Sequence, residues 1–445
     1  MKKIYTFLAA CAFGLSFTSC DDFLDYQPTA VIDEETAFSY PEEMVTAAYA
    51  MLGDCWYTYP FNLWPYGDLT SDDCLKGGWG TGDTNYHHLE IWSSLSSRNP
   101  DHMDELWYRL YCAISRCNRA LVSLQQSGTQ VLGADVAAQR EAEVRFLRAH
   151  FYYKLLTVWY QVPWIDEAAF SNNTVEQISN TQFSHEELME KVIADFQTAY
   201  DVLPATQTDG GRVNKIAAAA YLAKCYLDLA WGDGYEATTG PEHINQEYMQ
   251  RVVDYTDDVV NSQYGYLEDF GDIFLPENKN SKESIFAVQT SQYTEDNTSY
   301  GRANWSIMLN GAWGIWSCGW DCHKPSRNLV NAFKTENGLP MFDHFNDKID
   351  YPVNGQPTAQ KWDPRLFHTV GMPTFPFKYE AEYTLTLANA RTPNVYGYYT
   401  SLKEQPQRSQ GEVYNGSWQA FATIDYVFRY TDVMLMRAEA LVELN

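Results

Sequence analysis

Apolar residues recur at helical spacing over much of the chain, and the recurrence lapses in two long stretches. Met103, Trp107, Leu110, Ile114, Cys117, Leu121 and Leu124 advance by alternating steps of four and three. That spacing keeps one apolar stripe and predicts a helix that must pack against others. An earlier helix opens at Ser39-Tyr40-Pro41-Glu42-Glu43, a capping residue followed by Pro and acids, with Met44, Val45, Ala48, Met51 and Leu52 on one face before Gly53. Further amphipathic helices are predicted at 135–160, 184–202, 213–231 and 246–262, and Ser184 with Glu187 forms a capping box. Ala217 to Ala220 and Ala223 give the 213–231 helix a small-residue face that a neighbour can approach closely, as in tetratricopeptide-type helix pairs.

Residues 54–100 carry no helical period, and 264–425 are rich in Gly, Pro, Asn and aromatic residues. The second stretch has only brief helical signals, such as Asn328 to Phe333 before Asn337-Gly338. Helix is predicted again from Tyr426 to Leu444. The expected fold is mainly α: an irregular stack of tetratricopeptide-like helix pairs over 36–263, with an aromatic loop at 54–100 and a large loop-rich insertion at 264–425. Residues 426–445 would begin a C-terminal helical segment. Val433, Leu435, Met436, Ala438 and Ala440 need a packing partner and no cap follows them, so the chain is expected to continue past Asn445.

The N-terminus changes the picture of where this body resides. Lys2 and Lys3 precede an apolar run from Ile4 to Phe17 that is too short to span a bilayer, so 1–19 reads as an export signal. The run ends Phe17-Thr18-Ser19-Cys20, which resembles a bacterial lipobox, with Phe17 in place of the usual Leu. Cys20 would then carry the acyl chains, palmitate among them, and 20–35 would tether the body to a membrane. Asp21, Asp22 and Asp25 resemble the signal that displays such lipoproteins outside the cell.

With 45% hydrophobic and 20% charged residues the chain can bury a substantial core. Its formal charge of -27 repels nucleic acid and anionic membrane surfaces, which excludes both as partners. Of nine Cys, seven remain without Cys11 and Cys20, an odd number that does not make a disulfide scaffold. Cys318 and Cys322 are spaced to bridge within a loop, and the others read as small buried thiols. Motifs for zinc proteases, acyl transfer, nucleotide hydrolysis and EF-hand calcium are absent from the sequence. His87, His88 and Glu90 lack a third ligand at recognisable spacing, so no metal site is assigned; structural calcium held by irregular acidic loops stays open.

Several stretches resemble the SusD/RagB family of outer-membrane nutrient-uptake lipoproteins. Glu141 to Tyr153 followed by Val162-Pro163 is similar to a helix signature of that family, and Gly211-Arg212-Val213 with the Ala-rich helix is similar to a second. Lys324 to Phe333 with Asp363-Pro364-Arg365-Leu366, and Arg429 to Leu441, resemble two more. The resemblance implies a surface protein without catalytic groups that binds oligo- or polysaccharide and delivers it to a SusC-like TonB-dependent transporter. RagB-like members imply a peptide-binding alternative, to which the acidic surface would attract cationic peptides. A surface glycosidase is the other class considered, but with 58 acids a carboxylate pair is too easily found to support it. Arg145 and Arg148, on a largely apolar helix, are expected to pair with acids, since an unpaired buried guanidinium is costly.

Neutral sugars are held by flat apolar faces against their C–H patches and by planar polar groups at their hydroxyls. Aromatics make up 15% of this chain, more than a core requires, and two irregular segments concentrate them. Trp64, Asp72, Asp73, Trp79, Asn85, Tyr86 and Trp92 lie in 62–99; Arg302, Asn304, Trp305, Trp313, Trp316 and Trp320 lie in 300–322. The expected ligand group is Asp73, Trp79, Asn85, Trp92, Trp305, Trp313, Trp316 and Trp320. A single Trp is usually core, so the expectation rests on both stretches converging. The starch-binding members of the resembled family imply an arc built from an early and a middle loop, which maps onto Ser71-Asp72-Asp73-Cys74 with Trp79 and onto Gly314-Ile315-Trp316-Ser317.

Overall fold

The computed structural model describes residues 33–81, 86–93, 101–232, 244–291, 303–316, 319–347, 360–410, 413–415 and 419–445. The export signal, Cys20, most of the tether, Asn85, Arg302 and Cys318 lie outside them.

Among the described residues, six long helices precede the insertion: α1 (Pro41–Ala50), α2 (Asp101–Ser123), α3 (Ala134–Val158), α4 (His185–Val202), α5 (Lys215–Ala230) and α6 (Gln246–Val260). Each packs against the next, giving the mainly α, tetratricopeptide-like stack that the periodicity predicts. Ala217 to Ala220 and Ala223 are fully buried where α5 meets α4 and α6, the close approach that small side chains allow. At the start of α4, Ser184 Oγ accepts from Glu187 N at 3.2 Å while Glu187 Oε2 accepts from Ser184 N at 2.7 Å. Ser39 does not cap α1. That helix starts on Pro41 after Tyr40, without a side-chain cap.

Arg148 is buried on α3, where its Nε donates to Asp195 Oδ2 of α4 at 2.7 Å and its Nη1 to Asn118 Oδ1 of α2 at 3.0 Å and to Glu167. Arg145 on the preceding turn pairs with Glu141 at 2.8 Å and Asp195 at 3.2 Å. The two guanidiniums of the family-like signature thus join three helices through charges that would be costly unpaired.

The insertion is rooted by a strand pair. β2 (Ser284–Val288) runs antiparallel to a strand at Asp425–Arg429, so the chain leaves the helical body and returns to it at one place. Phe286 and Phe428 from this pair enter the helical core, with Phe286 5.2 Å from Phe146 and Phe428 4.7 Å from Tyr221. Residues 426–429 are therefore strand rather than the start of a helix, because their backbone is taken by the 284–288 partner. The last helix starts at Tyr430, where the Asp432 carboxylate accepts from Arg429 N at 2.8 Å, and runs to Glu443 against α5 and α6. Between these roots, Arg327–Ala332 is a short helix, and two small apolar clusters form around Trp316 and around Val330. Cys74, Cys117, Cys225 and Cys322 are buried. No described helix is long and apolar enough to cross a membrane.

Candidate functional site

The early aromatic loop and the middle aromatic segment meet through a two-stranded ladder. β1 (Cys74–Gly77) pairs antiparallel with β3 (Cys322–Pro325), Cys74 opposite Pro325 and Gly77 opposite Cys322. Gly78 N donates to Asp321 O at 3.2 Å, extending the contact past the strand ends. The regular pairing ends there, since Gly77 and Gly78 take φ of +73° and +74°, and Trp79 and Trp320 lie just past the two strand ends. Gly77 is required at the crossing: at φ +73°, a Cβ there would lie 2.1 Å from Asp321 O.

Three indoles gather on this edge around one cation. The guanidinium carbon of Arg391 lies 4.5 Å from the ring centre of Trp79, 4.6 Å from that of Trp313 and 4.2 Å from that of Trp320. All three distances fall within cation–π range. Arg391 is only 7% exposed, whereas Trp79 is 68% and Trp313 39% exposed, so the cation lies beneath rings that face solvent.

Other expected residues go elsewhere. Trp305 is 3% exposed and stacks on Trp56 at 5.0 Å, inside a small cluster with Ala303 and Met308. Trp316 is 6% exposed, packs 5.2 Å from Phe421 and donates its Nε1 to Gln405 Oε1 at 2.8 Å. The same Gln405 oxygen accepts from Ala312 N at 2.9 Å, so Trp316 closes the interior of the insertion and offers no face to a ligand. Both Trp residues are corrected from shelf to core. Trp92 is exposed after a short helix at His87–Glu90, with a left-handed φ of +50°, and its ring does not join the Arg391 group among the described contacts. His87 Nδ1 hydrogen-bonds Glu90 Oε2 at 2.9 Å within that helix. Among the described residues no His, Cys, Asp and Glu group is arranged to hold a metal.

Asp73 takes another position, on the wall of a cavity of about 550 Å³ enclosed by the early loop, the insertion and the segment that returns from it. Burial, then the nearby Asp68 and Asp72, push its carboxyl above the ordinary range. In the same wall His323 lies between Asp68 Oδ2 at 2.8 Å and Glu404 Oε1 at 3.0 Å, stacked 4.6 Å from Trp64. Burial opposes the imidazolium, but the Glu404 charge and the hydrogen bonds His323 makes with Asp68, Cys74 and Glu404 raise its pKa well above the usual value. Lys403 is lowered to about 8 by burial and the neighbouring Arg429, and Asp425 is raised to about 6 by burial.

Residues 282–445 match the family described as the SusD family, and residues 22–227 match a second described as "Starch-binding associating with outer membrane". Between them these matches leave out only the first 21 residues and 228–281. The chain belongs to the SusD family. A SusD-like protein from Bacteroides ovatus is 25% identical over 71% of this chain, and the alignment spans 56% of that relative's length. This SusD-family chain therefore spans little more than half of that relative. A SusD-like protein structure from Bacteroides fragilis shares the fold at TM-score 0.69, with 19% identity, 94% of this chain and 78% of that chain covered. Surface glycan-binding protein A from Bacteroides thetaiotaomicron in complex with laminarihexaose shares it at TM-score 0.56, with 19% identity and 91% and 78% covered.

One residue of the SusD-family shelf escaped the sequence reading. Arg391 is the sole cation between Lys378 and Lys403, in a loop without periodicity. A lone basic residue in an aromatic-rich insertion was the available signal, but nothing in its neighbours ties it to tryptophans 71 or more positions away.

Proposed function

We propose that this chain is a surface-exposed, lipid-anchored glycan receptor that captures oligo- or polysaccharide and delivers it to a SusC-like TonB-dependent transporter, without catalysing a reaction. The observation that carries this reading is the meeting of Trp79 from the early loop with Trp313 and Trp320 from the middle segment, two of these indoles facing solvent on a rigid helical body. Large indole faces supply the apolar contact that sugar rings need, and loops on a scaffold are where binding residues concentrate. The family's starch-binding description and the laminarihexaose complex of a fold neighbour support a carbohydrate as cargo. Cys20 and the acids behind it support the anchor and its outward display.

Capture followed by release suits a weak site. A millimolar sugar site corresponds to about -4 kcal/mol, and repeated engagement of a polymer raises the overall hold without slowing release of each unit. The test is calorimetric titration of a soluble form starting at Asp21 with a panel of neutral glycans, alongside Trp79→Ala and Trp313→Ala. Saturable binding to at least one glycan, weakened at least tenfold in both variants, is expected. Undiminished affinity in both removes the shelf from the site, and binding only of cationic peptides, weakened by salt, replaces the glycan by a peptide. Release of product from a labelled polysaccharide overturns the non-catalytic part.

A further inference from the structure

The segment Asn389–Thr392 touches both aromatic stretches beside each of the exposed-edge tryptophans. Asn389 Nδ2 donates to Trp313 O at 3.0 Å, Arg391 N to Asp321 Oδ2 at 2.9 Å next to Trp320, and Thr392 Oγ1 to Gly78 O at 3.0 Å next to Trp79. The Arg391 side chain then projects between the three rings, 4.2 to 4.6 Å from each centre. Asp321 is itself fixed by Lys324, which donates to its carboxylate from within the ladder.

A guanidinium is planar, weakly hydrated and able to stack on several aromatic faces at once. Three indoles brought to one place without such a spacer would pack on one another, since aromatic pairs settle with centroids about 4.5–7 Å apart. Their faces would then be spent internally. With the cation occupying the inner side, Trp79 and Trp313 keep their outer surfaces exposed.

We propose that Arg391 is the positioning residue of the aromatic shelf, fixing Trp79, Trp313 and Trp320 in one relative orientation so that successive sugar units engage them together. This rests on the glycan reading above for its ligand, but not for its geometry. A lysine would supply charge on a flexible stem without a plane to order the rings, and a methionine would supply bulk without charge.

The experiment labels the soluble chain from Asp21 with 5-fluorotryptophan, assigns the three resonances by single Trp→Phe changes, and compares the parent with Arg391→Lys and Arg391→Met. Both variants are expected to shift all three resonances together and to leave those of Trp305 and Trp316 in place. With oligosaccharides of increasing length, the parent should gain affinity with each added unit, and both variants should lose that gain by at least tenfold at the longest length. If Arg391→Met lowers the unfolding midpoint, Arg391→Lys decides. Unmoved resonances in Arg391→Lys overturn the proposal, as does an equal loss at every oligosaccharide length. A parent that binds no glycan defeats the functional reading, while the fluorine shifts still decide the positioning role.

Discussion

His323 Nε2 meets Asp68 Oδ2 at 2.8 Å, a hydrogen bond between residues 255 positions apart that ties β3 to the loop preceding β1. Glu404 holds the other imidazole nitrogen at 3.0 Å, and Asp73, Cys74 and Lys403 share the cavity wall. Because the folded pKa is raised above the unfolded value of about 6.5, this contact contributes stability that is fully present below pH ~6.5 and is lost as pH rises through the folded value. His323→Gln should therefore be less stable than the parent at pH 6, with the gap closing toward alkaline pH. Urea melts at several pH values check this, and a gap independent of pH would sink it.

Asp425 behaves with the same sign at lower pH. Its carboxyl is raised to about 6 by burial, against the pull of Lys154, from about 3.9 unfolded. The stability it contributes is complete below pH ~3.9 and disappears as pH rises through about 6. Asp425→Asn should raise the thermal midpoint at pH 7 and lose that advantage at pH 4; equal midpoints at pH 7 refute it.

Gly77→Ala should separate the two aromatic loops. The added Cβ meets Asp321 O at 2.1 Å on a left-handed backbone, so the ladder must open. The expected readouts are loss of glycan affinity and a shift of the Trp79 signal, with far-ultraviolet helicity unchanged because the helical stack does not depend on this crossing. Retained affinity would show that the ladder does not hold the shelf.

The tryptophans should divide into two classes. Trp305→Ala and Trp316→Ala remove buried rings and should each cost about 3–5 kcal/mol of stability. Trp79→Ala, at a ring 68% exposed, should change stability by about 0.5 kcal/mol or less while weakening sugar binding. Chemical denaturation alongside titration separates the two, and similar stability losses at Trp79 and Trp316 would contradict the burial pattern.

Arg148→Ala should destabilise by about 3–5 kcal/mol, because it leaves Asp195 and Glu167 without the cation that they face across three helices. Equilibrium unfolding measures it. A loss below about 1 kcal/mol would mean that these carboxylates find other partners.

The helical body was legible because its information is local. A stripe such as Leu110, Ile114, Cys117 and Leu121 needs only the 3.6-residue period to show which side is buried, and the Ala face of α5 states how near its neighbours come. The pairing of Arg148 with acids could be expected from the cost of burying it, although Asp195 and Glu167 could not be picked out among so many acids. The strand at 425–429 was not legible, since its apolar residues fit a helix until the partner at 284–288 takes their backbone bonds.

By itself, the sequence determined the long helices of the body and where the irregular aromatic stretches lie. Only the tertiary structure decided that Trp79, Trp313 and Trp320 gather around Arg391 and that Trp305 and Trp316 turn inward. The physical reason is range. Helical periodicity is set by bonds four residues apart, whereas the shelf depends on a ladder between residues near 75 and near 323, and non-periodic loops carry no local rule for which face of an indole meets water.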